Sequence, residues 1–181
     1  MDTPGLDCDE GIRPGGDLSE MKAVFKEGGK VTAGNASQLS DGAAAVLVAR
    51  RQTAEKQGWP ILATVLDYCT SGVEPARVMA APIPAIETLL QRNQLTIDDL
   101  HYVEHNEAFA AASCAVAKAC HIPDEKFNPH GGAVAIGHPL GATGARCLMT
   151  LINALRRSGG GKGIVTLCLG GGNAVAMLVE A

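Results

Sequence analysis

The sequence predicts an α/β fold with a layered sheet, and three observations carry that expectation. Apolar runs short enough to be strands alternate with segments of helical spacing. The last two runs, "GIVTLCL" and "AVAMLVEA", flank a glycine turn and read as two buried strands. The composition is 46% hydrophobic with 22 glycines but only one Trp, two Tyr and three Phe, so the core is built from small side chains that let helices sit close on a sheet.

Taken in order, residues 1–30 are rich in Gly, Asp, Glu and Pro and form an irregular lead-in, with "SEMKAVF" as its one helical turn; residues 31–181 form the organised domain. There "AAAVLVA" (43–49) reads as a strand, "RRQTAEKQG" as a short helix and "ILATVLDYC" (61–69) as a second strand. A helix over 82–92 opens with proline, a capping box spans Thr96 to Asp99, and a short strand passes through Val103. The segment 107–120, "EAFAAASCAVAKAC", is apolar or small nearly all round and predicts a helix buried on most sides. A helix over 143–157 ends in two arginines that complement its dipole.

A net charge of −4 without a basic run gives no electrostatic reason for nucleic acid or an anionic membrane as partner. No apolar stretch reaches the ~20 residues that span a bilayer, and the acidic N-terminus is unlike a signal peptide. The expected location is cytoplasmic, an organelle remaining open. The six cysteines form no C-x-x-C pair and several lie in apolar runs, so reduced thiols are expected rather than disulfides.

Four stretches carry possible chemistry. In "GGAVAIGHPLGATGAR" (131–146) the N-terminus of the 143–157 helix points its free N–H groups at the glycine-rich corner holding His138; a structural histidine in a turn explains the pattern equally well. "CLGGG" sets Cys168 near a strand end before three glycines, where a ligand or a hairpin would account for it. "HNEAFA" puts Asn106 and Glu107 at a strand-to-helix junction, where capping alone suffices unless the Asn106 amide faces a ligand. "TAGNASQLSDG" offers loop residues including Ser37. A fifth stretch, "HYVEH" (101–105), fits the spelling of an H-x-x-E-H zinc site. Its Tyr-Val centre favours a strand, however, which would hold the two histidines roughly 13 Å apart, too far for one ion. No metal site is expected.

Together, "VTAGNAS", "DGAAAVLV", "HNEAFA", "GGAVAIGHPLGATGAR" and "CLGGGNAVA", in this order, resemble the C-terminal half of the thiolases, the acetyl-CoA acetyltransferase and 3-ketoacyl-CoA thiolase family. The likeness runs from about Asp9 to Ala181, with Asn106 and His138 separated by 32 positions and His138 and Cys168 by 30. It implies the second βαβαβαββ half of an αβαβα sandwich and a two-step acyl transfer between CoA thioesters, with no further cofactor. It also implies roles: His138 activates the nucleophile and serves an oxyanion hole, Cys168 moves the α-proton of acetyl-CoA, and Asn106 positions a water. Gly137 and Gly170 support the oxyanion loops; Ala33, Ser37, Leu39, Phe109 and Phe25 line the CoA channel.

The same resemblance implies a chain roughly twice as long, whose nucleophilic cysteine sits in a C-x-S-G-type context in an N-terminal half, a context this chain is not expected to contain; none of the six cysteines fits that role. The expected function is therefore the acid/base half of a thiolase completed by such a partner in a homo- or hetero-oligomer. The alternatives are a non-catalytic CoA-binding or scaffold subunit and, remotely, a zinc hydrolase.

Overall fold

The structure is a computed structural model that describes Ile12 and residues 15–181. Cys8 and the first part of the lead-in lie outside the described residues. The elements are α1 (Arg51–Gln57), β1 (Thr64–Gly72), α2 (Pro82–Arg92), β2 (Tyr102–His105), α3 (Ala110–Ala119), α4 (Ala133–Ile136), α5 (Thr143–Arg157), β3 (Lys162–Leu169) and β4 (Asn173–Glu180). The four strands form one sheet in the order β1-β4-β3-β2, antiparallel except for the parallel pair β2 and β3.

Strand alternation sorts the core onto two faces. Val103, Ile164 and Leu178 point to one face, where they meet Ile86 and Leu89 of α2 and Val116 of α3. Val165 and Val179 point to the other, against Cys147, Leu151 and Leu155 of α5. The sheet is thus sandwiched between helices, the expected layering. Both long helices have the expected bounds. α2 carries its proline in the first turn, and α5 ends in Arg156 and Arg157 beside its last carbonyls. The Thr96 capping box closes a single 3-10 turn over Ile97–Asp99.

Four expectations need correction. Residues 43–49 form no strand: among the described residues no strand lies beside them, and Leu47 and Val48 are 80% and 76% exposed. The strand expected at 61–69 runs instead from Thr64 to Gly72, because pairing from Thr64–Glu180 to Gly72–Asn173 fixes its ends. The helix expected over 107–120 starts only at Ala110, since Glu107 has φ +60° and Phe109 is extended and bridged to Ala36. That helix also buries one face alone: Ala112, Ser113 and Val116 are inside while Ala111, Cys114, Ala115 and Lys118 are exposed. In the lead-in, the helical turn expected around 19–25 is a 3-10 turn over Leu18–Glu20, capped by Asp17.

β2 forms where "HYVEH" was expected to be a strand, with Glu104 facing α5 and His105 facing α3. His105 is 1% exposed, stacks on Phe127 with ring centroids 5.9 Å apart, and its Nδ1 accepts the Glu107 N–H at 3.2 Å. The ring proton therefore sits on Nε2, which has no partner among the described residues. Burial pushes the pKa of His105 down to about 4.

In the unfolded chain this histidine takes up a proton near pH 6.5, whereas the folded chain resists until about 4. Its contribution to stability is therefore lost as pH falls through that window, by up to ~3 kcal/mol. Urea unfolding across the window should show the wild type losing that much relative to His105→Leu; a constant difference between the two would contradict the assignment.

Candidate active site

Two adjacent parallel strands, β2 and β3, deliver chemistry at their carboxyl ends, the position where open α/β sheets hold ligands. Asn106 follows β2 directly and donates its backbone N–H to Thr166 of β3 at 3.2 Å. Cys168 lies near the end of β3, opposite Ala174, before the Gly170–Gly172 turn to β4. His138 comes from the loop between α4 and α5. Sequence distance is thereby folded into one edge of the sheet.

The loop at His138 is shaped by backbone constraint. Gly137 is buried with φ +91°, and a Cβ there would strike the Ser40 hydroxyl. A Cβ on Gly42 would lie 2.8 Å from Pro139, so the segment around Ser40 presses directly on the histidine loop. A side chain at Gly137 would therefore collide with the neighbouring segment, whereas at Gly170 no described atom lies within 4 Å of where a Cβ would stand.

Asn106 and His138 are brought together. Asn106 Nδ2 lies 3.2 Å from His138 Nε2, and His138 Nδ1 lies 2.7 Å from Thr143 Oγ1. The Thr143 hydroxyl donates its single proton to the Pro139 carbonyl at 2.8 Å, so it must accept from Nδ1–H. That leaves Nε2 unprotonated, with its lone pair toward the Asn106 amide. Burial, and then the cationic Arg146, lower the pKa of His138, which keeps the imidazole neutral.

Behind the asparagine stands a group the motif reading did not single out. Arg146 Nη2 donates to Asn106 Oδ1 and Nη1 donates to Glu104 Oε1, both at 3.0 Å. Glu104 is wholly buried, and the Arg146 side chain is 16% exposed. Burial pushes the Glu104 carboxyl up to about 7 despite its cationic partner. The overlooked signal was a cation in the first turn of α5, where the helix dipole disfavours one, and a carboxylate inside a buried strand.

Cys168 is half-buried, and burial raises its thiol pKa. Among the described residues no hydrogen bond joins it to His138 or Asn106. Of the residues expected to meet CoA, Phe25 packs edge-on against Phe109 with centroids 6.1 Å apart. Ser37 donates its N–H to Ala108 at 3.0 Å, laying its segment beside the start of α3. Ala33 and Leu39 are exposed. Phe25 and Phe109 also border an apolar pocket of about 440 Å³, completed by Met79, Ala112 and Ala115, which sequence reasoning did not find because small helix residues look like core.

One literal C-x-S-G tetrapeptide is present after all, Cys69 to Gly72, and the structure removes it as a nucleophile. Cys69 lies within β1, is 7% exposed, donates its thiol to the Ala85 carbonyl and has its pKa raised by burial. A cysteine held this way is structural.

Family models place this geometry among known proteins. Residues 59–181 match "Thiolase, C-terminal domain" and residues 2–52 match "Thiolase, N-terminal domain". An acetyl-CoA acetyltransferase of Syntrophomonas wolfei is 47% identical over 166 residues, covering 91% of this chain and 42% of its own length. The peroxisomal 3-ketoacyl-CoA thiolase B of Rattus norvegicus is 48% identical over 176 residues, 95% of this chain and 42% of its own. The chain therefore spans less than half the length of these relatives. The crystal structure of the Bacillus anthracis acetyl-CoA acetyltransferase superposes with a TM-score of 0.91 at 41% identity, over 96% of this chain and 45% of that one. The dimeric peroxisomal thiolase of Saccharomyces cerevisiae gives 0.89 at 41% identity, over 95% and 44%. With the C-terminal domain model matching residues 59–181, more than half of this chain, the chain belongs to the thiolase family.

Proposed function

We propose that the chain supplies the acid/base half of a thiolase, working on CoA thioesters once an N-terminal half brings the nucleophilic cysteine. The observation that carries this reading is the Asn106–His138–Thr143 array, which presents an unprotonated Nε2 and an amide N–H at one point. Proton removal from a thiol needs such a base, and a thioester oxygen gaining charge needs such donors. Relatives named acetyl-CoA acetyltransferase and 3-ketoacyl-CoA thiolase support the same chemistry.

In the degradative direction His138 Nε2 accepts the proton of the partner's cysteine thiol. The resulting thiolate attacks the 3-keto carbon and the Cα–C bond breaks, leaving an acyl-cysteine and an acetyl-CoA enolate that takes a proton from Cys168. The Cys168 thiolate then takes the proton of the incoming CoA thiol, whose sulfur attacks the acyl-cysteine; the acyl group leaves as acyl-CoA, and the released cysteine thiolate recovers the proton held on His138. The raised thiol pKa of Cys168 suits it as proton donor here and, once ionised, as a strong base in the reverse condensation. Asn106 donates toward the developing oxyanion, directly or through a water. Residues 1–30 serve as a remnant of the CoA-binding region, and Phe25 and Phe109 hold the pantetheine arm.

The assembly we propose is a homo- or hetero-oligomer in the cytosol or an organelle matrix. Its support is the apolar surface that this chain leaves uncovered: Leu47 and Val48, Val65 and Tyr68 on the edge strand β1, and the small-residue face of α3. Among the described residues no helix is long and apolar enough to cross a membrane. A second reading, a CoA-binding scaffold, is favoured by the Phe25–Phe109 pocket, which requires no nucleophile.

Joining this chain to the part of the Bacillus anthracis relative that it does not span, as a mixture or a single fused chain, should yield acetoacetyl-CoA cleavage absent from either piece alone. CoA binding by the folded fusion without turnover would favour the scaffold. In the active assembly His138→Ala should lower kcat/KM by roughly 10²–10⁴-fold. The acid limb of the wild-type profile should lie below the ordinary imidazole value of 6.5, as burial and Arg146 require. Cys168→Ala should stop α-proton exchange and condensation but leave acylation of the partner's cysteine detectable by mass; loss of acylation too would refute this division of labour.

A further inference from the structure

We propose that Glu104 and Arg146 form a positioning pair that fixes which way the Asn106 amide faces, and through it the hydrogen bonding of His138. The inference rests on His138 being the working base and adds two residues to which none of the motif assignments gives a role. A guanidinium carries donors only, so the atom of Asn106 that meets Arg146 must be its oxygen, and Nδ2 is thereby turned to His138. Glu104 Oε1 holds the other end of the fork, so the guanidinium cannot swing away.

Energetics favour a functional account of this pair. Among the described residues Glu104 Oε2 and Arg146 Nε are buried without partners, and a half-satisfied buried ion pair is often less stable than apolar residues of the same volume. Two elements meet there: β2 brings Glu104 and, just past its end, Asn106, and the first turn of α5 brings Arg146. Cys147, one residue on, sets its thiol 3.8 Å from the same Asn106 oxygen and leaves Arg146 as the strong donor. Glu107, the other carboxylate nearby, is anchored on the Val134 N–H.

The test is NMR of the labelled 181-residue chain, which reads geometry without requiring turnover. Contacts between the Asn106 side-chain amide protons and the His138 ring should be strong in the wild type. Arg146→Lys keeps the cation but loses the planar fork whose separate nitrogens reach Glu104 and Asn106, so these contacts should weaken markedly. In Glu104→Leu/Arg146→Met, which replaces the ion pair by apolar groups and should preserve the fold, they should also be lost, and the His138 titration midpoint should rise as the neighbouring cation disappears. Wild-type amide contacts in either variant would overturn the proposal. A chain that behaves as expected here yet gives no cleavage in any assembly would keep the positioning pair and lose the thiolase reading.

Discussion

Arg146 can only donate hydrogen bonds, and the geometry of the site follows from that fact. Its guanidinium turns the Asn106 oxygen inward, the Asn106 nitrogen must then face His138, and Nε2 must accept. From the other side, Thr143 spends its proton on Pro139 and can only accept from Nδ1. Two independent chains of donors and acceptors therefore agree on one tautomer. An imidazole bound on both sides in this way is oriented before any substrate arrives, which is where electrostatic catalysis gains most.

The fold exists around that chain of bonds. Parallel pairing of β2 with β3 puts Asn106 and Cys168 at one sheet edge, and α5, laid across the opposite face from α2, carries Thr143 and Arg146 in its first turn. Gly137 lets the connecting loop pass under Ser40 with no side chain in the way. The burial of Leu151 and Leu155 on the sheet is what holds α5, and so the polar groups of its first turn, in register with Glu104.

Much of this was legible in the sequence where signals were local. The helices over 82–92 and 143–157 carry apolar spacing with suitable ends, and the closing strands flank a glycine turn. Features decided by distant partners were less so. Residues 43–49 have the composition of a strand but have no strand beside them among the described residues, and α3 reads as buried on most sides because Ala and Cys suit a core and a docking face equally. Asn106 and His138 were recognised through their motifs. Arg146 and Glu104 were printed in or beside the same motifs but mean something only as a pair brought together by β2 and α5. At Cys69 the C-x-S-G spelling has no chemical content, because the thiol is buried within a strand and held on the Ala85 carbonyl.

The most direct measurement is the ¹⁵N chemical shifts of the His138 ring at neutral pH, from long-range proton–nitrogen correlation on the labelled chain. The account predicts the neutral tautomer with its proton on Nδ1 and a bare Nε2. A ring protonated on Nε2, or a charged imidazolium, would contradict it, because neither leaves a base where the nucleophile has to be activated.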